Sequence, residues 1–415
     1  MTGTAPRWGS RAAANGRFGH LVARTDVRLP GVDLPLLSVS QTRGVVRRSE
    51  ISDAPPRADS LDAYKVCRKH DIVFNKMSIG AGAVGVAQED GLVTYHYEVM
   101  RAFADSDPRF VTMLMKSDWF IGELVARERG IGAGPKANVR TTEVPFSVMR
   151  AVPIWVPTLD EQRAIADYLD EQTAKIDALI AKQNEMIGLL DERRVAAITH
   201  VVQRDGQSLT RLGHLADVID CAHVTAEFVD DDSGYPVASI GQCQGPEVDL
   251  SQAPRTTAEF FRLLTFGDRA PQAGDLLFIR NVSVGLASEV PAEVEPFAVG
   301  QETVLIRPSR SILTRFVRYG LQSSPTKFAI ESAMVGSTFR RINVSRIRAL
   351  PVPLIPASEQ IAVVDRLDSE TAQIDALVTR AREHIALAQE RRAALITAAV
   401  TGQIDVRTAT REVMA

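Results

Sequence analysis

Glu161-Gln162-Arg163-Ala164-Ile165 and Glu359-Gln360-Ile361-Ala362-Val363 stand 198 positions apart and open two stretches that match without a gap. The pairs include Asp167 with Asp365, Leu169 with Leu367, Thr173 with Thr371, and Ile176-Asp177-Ala178-Leu179 with Ile374-Asp375-Ala376-Leu377. They continue through Glu192-Arg193-Arg194 with Glu390-Arg391-Arg392, and Ile198-Thr199 with Ile396-Thr397. Solenoid units recur every ~20–50 residues. A period this long is a duplicated half-protein.

Both copies predict a long helix. Ile165, Leu169, Ile176, Leu179 or Ile180, Ile187, Leu190, Ile198 and Val201 step by threes and fours, with polar residues on the other face; Val363, Leu367, Ile374, Leu377, Ile385, Leu395 and Ile396 repeat the pattern. Each run follows a proline-rich segment, Pro153-Ile-Trp-Val-Pro157 or Pro351-Val-Pro-Leu-Ile-Pro356, and Thr158 stands in capping-box relation to Glu161. About 42 residues at ~1.5 Å each make a rod of ~60 Å. Such a helix cannot bury its single apolar seam alone, and the second copy supplies a partner. An antiparallel intramolecular coiled coil is the economical arrangement.

The blocks ahead of the helices are duplicated more faintly. Arg17-Phe18-Gly19-His20-Leu21 answers to Arg211-Leu212-Gly213-His214-Leu215, and Asp71-Ile72-Val73-Phe74 to Asp275-Leu276-Leu277-Phe278. Short β-branched runs between Gly, Pro and Asp suggest mixed α/β domains. The expected organisation is therefore α/β (α+β): domains at 1–152 and 206–350, a spacer helix at 153–205, and a second spacer helix with a tail at 351–415, with internal pseudo-twofold duplication. Residues 1–152 carry a net charge of about +5 while the chain as a whole is at −3, so the positive excess sits in a block and not on the helices. No apolar run approaches the ~18 residues of a membrane span, and the N-terminus lacks the apolar core of a secretory signal. Three cysteines, Cys67, Cys221 and Cys243, fall in no metal or redox spacing, which fits a reduced cytoplasmic protein.

The paired order of variable block and helix, with Ile-Asp-x-Leu and Glu-Arg-Arg in both helices and Val400-Thr401-Gly402 after the second, resembles the specificity subunit of Type I restriction–modification enzymes. Gly274-Asp275 fits the strand that precedes each conserved helix in that family; His70-Asp71 departs from its glycine. The resemblance implies a non-catalytic reader of double-stranded DNA. Two target-recognition domains would each read half of a split, asymmetric site, and the helices would dock two methyltransferase subunits, with two restriction subunits as an optional addition. S-adenosylmethionine, ATP and Mg2+ would belong to those partners, with no metal or cofactor in this chain. A coiled-coil adaptor with two ligand-binding domains and no DNA role is the alternative.

No nucleotide loop or methyltransferase motif is present: the glycines at 130, 132 and 134 are followed by Pro135-Lys136-Ala137 rather than a phosphate-binding ending. No catalytic residue is expected. Lys76, Lys136, Arg140, Arg280, Asn281, Arg340 and Arg341 lie beside predicted loops and are the candidate DNA contacts, because Arg and Asn suit bidentate bonds to guanine and adenine edges. On the helices Glu161, Gln162, Asp177, Arg193, Arg194 and their equivalents Glu359, Gln360, Asp375, Arg391 and Arg392 are candidates for docking, with capping or cross-helix ion pairs as the competing role.

Overall fold

Ile72-Val73-Phe74 and Leu276-Leu277-Phe278 are apolar at consecutive positions, which a strand tolerates only when both of its faces are covered. In the computed structural model this is what happens. The structure describes residues 12–52, 60–76, 83–127, 129–130, 142–202, 208–230, 233–334 and 341–407. It divides into two compact units, Met1–Gln183 with Glu383–Ala415, and Asn184–Arg382, so both ends of the repeat contribute to each.

In the first unit, β1 (Val22–Thr25), β2 (Ile72–Asn75), β3 (Val84–Val86) and β4 (Tyr97–Ala102) form an antiparallel sheet in the order β1-β4-β2-β3. Ile72, Phe74 and Met100 enter one core with helices α1 (Pro108–Lys116) and α2 (Asp118–Val125), while Val73 and Val99 enter another with Leu37, Val39 and Val45. The second unit repeats this with β5 (Ala216–Asp220), β6 (Leu276–Ile279), β7 (Ala287–Glu289) and β8 (Thr303–Pro308), in the order β5-β8-β6-β7. Leu276, Phe278, Val304 and Ile306 face one core with α3 (Thr314–Gln322); Leu277, Ile279 and Leu305 face the other. A further helix, α4 (Ser324–Met334), follows as α2 does in the first unit. The period of two along each strand thus sorts alternate residues into two cores.

The turn before β2 and β6 is also copied. Asp71, buried, accepts from the Arg68 amide at 2.8 Å and takes the Arg101 guanidinium at 2.7 and 2.9 Å. Asp275 accepts from the Gln272 amide at 2.9 Å and takes Arg307 at 2.9 and 2.8 Å. The preceding residue must adopt the left-handed conformation: Gly274 has φ +83° and His70 has φ +73°. Glycine does so freely, whereas a side chain costs ~1–2 kcal/mol. His70→Gly is therefore expected to raise the thermal midpoint of the first unit by about 2–4 °C, read by calorimetry. A lower midpoint would mean that the exposed His70 ring makes a contribution beyond the turn.

Each block returns to its own first strand just before its long helix. Pro153–Ile154 pairs with Gly16–Arg17, and Pro351–Pro353 with Leu209–Arg211, so the prolines lie in two-stranded edges where a missing amide is tolerated. The long helices then run from Leu159 to Val202 and from Ala357 to Val400, 44 residues each. Thr158 and Glu161 form the expected capping box, with the Thr158 amide donating to Glu161 Oε2 at 3.0 Å and the Glu161 amide to Thr158 Oγ1 at 3.4 Å.

Within each unit the two helices run antiparallel. In the first, Ile165 and Leu169 share a core with Ile396, Ala399 and Val400, while further along Asp177 meets Arg392 at 3.0 Å. In the second, Ile198, Val201 and Val202 pack with Val363, Val364 and Leu367, Leu190 with Ile374 and Val378, and Arg194 pairs with Asp375. Rising numbers on one helix meet falling numbers on the other. The two ion pairs are one interaction made twice, since Asp177 is the equivalent of Asp375 and Arg194 of Arg392. Arg194, Arg392, Asp177 and Asp375 thus make the cross-helix contacts that competed with docking in the sequence.

Gln162 and Gln360 correct the expectation of a partner-facing role, because both are buried. Gln162 Oε1 accepts from the Asp107 amide at 2.9 Å, and its Nε2 donates to the carbonyls of Pro157 at 3.0 Å and Asp105 at 3.3 Å. Gln360 Oε1 accepts from the Leu313 amide at 2.8 Å, and its Nε2 donates to the Ile355 carbonyl at 3.3 Å. Each glutamine latches its long helix to the residue that starts α1 or α3. Arg109 reinforces the first latch, reaching Asp167 at 2.7 Å and Asp170 at 3.2 Å; Arg315 reaches Asp368 at 2.6 Å in the second.

Candidate nucleic-acid interface

The ends of β2 and β6 carry the polar residues picked out in the sequence. Lys76 follows β2, and its ammonium lies 3.9 Å from Glu98 Oε1. The same buried carboxylate takes Arg24 at 2.9 Å and Lys65 at 3.5 Å, and Arg24 and Arg28 flank Asp26 at 3.6 and 2.9 Å. Four cations thus gather around two carboxylates at one end of the sheet, a local positive excess in the block where pooled charge placed one. Burial pushes the Lys65 ammonium below its ordinary pKa, with Glu98 and Asp26 opposing the shift. Hydrogen bonding to Arg28 holds Asp26 below the usual carboxylate range, against its burial. Arg24, Arg28 and Lys65 were not legible as a group, because they come from separate strands and loops.

In the second unit Arg280 holds the position of Lys76, but it is drawn inward. It is buried, donates to Asp220 Oδ1 at 3.0 Å and to the Gln301 carbonyl at 3.2 Å, and lies 3.7 Å from Cys221 Sγ. The expectation of a DNA-facing Arg280 is therefore corrected: its fork ties β6 to the end of β5. The same geometry answers for Cys221-x-His223. Asp220, Cys221 and His223 approach within 4.8 Å of one another. The carboxylate is already shared by Arg280 and by His223 Nε2 at 3.2 Å, and the thiol donates to the Gln301 carbonyl at 3.0 Å. Burial raises the Cys221 pKa to about 11, and those of Cys67 and Cys243 to about 12, so the three thiols stay protonated and unreactive at neutral pH.

Asn281 and Arg341 are brought together. They form an isolated antiparallel bridge beyond the end of β6, and the Ile342 amide donates to the Arg280 carbonyl at 3.0 Å. Arg341 is exposed. Between them the chain makes a tight turn in which the Ser283 amide donates to the Asn281 carbonyl at 2.7 Å, with Val282 at φ +59° and exposed. A β-branched residue in the left-handed region is strained, and such strain clusters at binding sites and switches. Val282 had no signature in the sequence, since nothing local marks a valine that its neighbours force into that turn. Lys136, Arg140 and Arg340 lie outside the described residues. On the long helices Arg193 and Arg391 are exposed, Glu359 sits in the first turn of its helix, and Glu161 also takes Arg407 at 3.4 Å.

No protein-family model and no curated protein matches the chain. Solved structures do. A chain of a type I R-M system, described for its complex assembly and conformational transition, superposes with a TM-score of 0.66 at 19% identity, covering 95% of this chain and 100% of that one. The HsdS subunit from Thermoanaerobacter tengcongensis is similar with a TM-score of 0.45 at 18% identity, over 94% of this chain and 96% of its own. The S subunit of a Type-I restriction-modification system from M. genitalium gives 0.36 at 14%, over 96% and 99%. The first of these shares its fold with the present chain over 95% of its length. That fold is mixed α/β with two long helices. Among the described residues no helix is long and apolar enough to cross a membrane.

Proposed function

We propose that this chain is the DNA-reading specificity subunit of a Type I restriction–modification complex, non-catalytic in itself and working in the cytoplasm. The observation that carries the reading is the double copy: the same sheet, the same glutamine latch and reciprocal Asp–Arg pairs in both units, in the fold shared with a chain of a type I R-M system. Two blocks built on one frame but differing in their loops suit two unlike half-sites. In the first, Arg24, Arg28 and Lys76 around Glu98 and Asp26 would meet phosphates; in the second, Asn281, Val282 and Arg341 would face base edges, where a valine suits a thymine methyl. The helices would dock two methyltransferase subunits, and restriction subunits where these exist. S-adenosylmethionine, ATP and Mg2+ would be held by those partners.

The direct test is to sequence the methylome of cells carrying the cognate methyltransferase, with and without this chain. A split, asymmetric methylated motif should appear only with it; identical methylomes would defeat the proposal. Within that experiment Arg341→Ala is expected to cost about 1–3 kcal/mol of discrimination at one base position, relaxing the motif there alone. A uniform loss over all positions would assign Arg341 to a phosphate instead.

A further inference from the structure

Asp191, Arg194, Arg315, Tyr319, Lys327 and Asp368 are among the residues around a cleft of about 830 Å3 in the second unit, within the size range of small-molecule sites. Val284, Leu286, Ile330 and Met334 give it an apolar wall. Most of its charges are matched: Arg194 pairs with Asp375, Arg315 with Asp368, and the Tyr319 hydroxyl donates to Asp368 at 2.6 Å. Lys327 has Asp191 and Glu331 for opposite charges. Arg318 is the exception. It is only 8% exposed, it lines the cleft, and among the described residues its guanidinium makes no hydrogen bond and no ion pair, with Nε buried and unpartnered. Its guanidinium carbon lies 4.8 Å from the centre of the Tyr319 ring, and Glu289 acts on it through space without a hydrogen bond.

A buried arginine without a hydrogen-bonded anion is strongly unfavourable, because its desolvation goes uncompensated. Its planar fork is suited to a phosphate, which it can grip with two parallel bonds. The equivalent position in the first unit is Thr112, whose hydroxyl is satisfied by the Pro108 carbonyl at 2.8 Å, so the feature belongs to the second unit and not to the shared frame. We infer that this cleft binds a small phosphorylated ligand, with the phosphate on Arg318 and an apolar or aromatic body along Val284, Leu286, Ile330 and Met334. This goes beyond the DNA-reading proposal and does not depend on it.

The test is calorimetric titration of the full chain with AMP and with inorganic phosphate, at an ionic strength held constant with chloride, alongside thermal denaturation. Saturable binding is expected, weakened at least tenfold in Arg318→Met and less in Arg318→Lys, which keeps the charge without the fork. Arg318→Met is also expected to melt above the wild type when no ligand is present, which shows that it folds. Absence of saturable binding by the wild type, or equal binding by Arg318→Met, would overturn the inference. A duplex DNA arm separates the other phosphate source: DNA affinity that falls in Arg318→Met while AMP never binds would also overturn it.

Discussion

Gln162→Met is expected to destabilise the first unit by about 3 kcal/mol, because it removes a side chain of nearly the same shape while orphaning an amide and two carbonyls. The Asp107 amide loses its acceptor and the Pro157 carbonyl its donor, both in buried bonds, while the Asp105 carbonyl, at an exposed residue, loses a part-buried one. Each buried group left alone costs ~1–3 kcal/mol, and partial relaxation recovers some of it. Gln360→Met removes two bonds and should cost the second unit about 2 kcal/mol. Denaturant titration followed by a probe placed in each unit should show one transition moving and the other staying. A change below ~0.5 kcal/mol in both would show that the latches are idle and that the repeated Glu-Gln has another cause.

That result bears on what the sequence could disclose. The long helices, their capping box and their antiparallel partnership were readable, since period, matching registers and uninterrupted helical composition agree. The double frame was readable too, through Asp71 and Asp275 and the apolar runs after them. Burial of individual polar residues was not. Gln162 in a helix full of surface charge looks like another surface residue, and only the position of the Asp107 amide makes it a buried acceptor. Arg280 and Lys76 are aligned and chemically alike, yet Asp220 draws the first inward while Glu98 holds the second near the surface. Val282 sits in a turn held by bonds to Asn281, which is itself bridged to Arg341, sixty residues on in the chain. Partners distant in sequence decide the first two cases and flank the third.

The largest functional effect is expected at the exposed leucines of the two long helices. The seam is filled, yet Leu179 and Leu377 remain 47% and 42% exposed, and Leu189 and Leu387 remain 59% and 62% exposed. These are the same two positions of the repeat, so the first unit carries Leu179 with Leu387, and the second carries Leu377 with Leu189. A single exposed leucine needs no explanation, but duplicated exposure at matching positions is what docking two copies of one partner requires. Covering the part of the two leucines that remains exposed is worth ~2–3 kcal/mol, so Leu179→Asp with Leu387→Asp should weaken one of the proposed methyltransferase contacts by a factor of roughly 10². Because the substituted residues face solvent, the chain itself should keep its melting behaviour. Sedimentation with the methyltransferase should then show one bound copy in place of two, and none once Leu377→Asp and Leu189→Asp are added. Two copies retained by the fourfold variant would place docking elsewhere on the chain, and with it would go the reason for these leucines to be repeated.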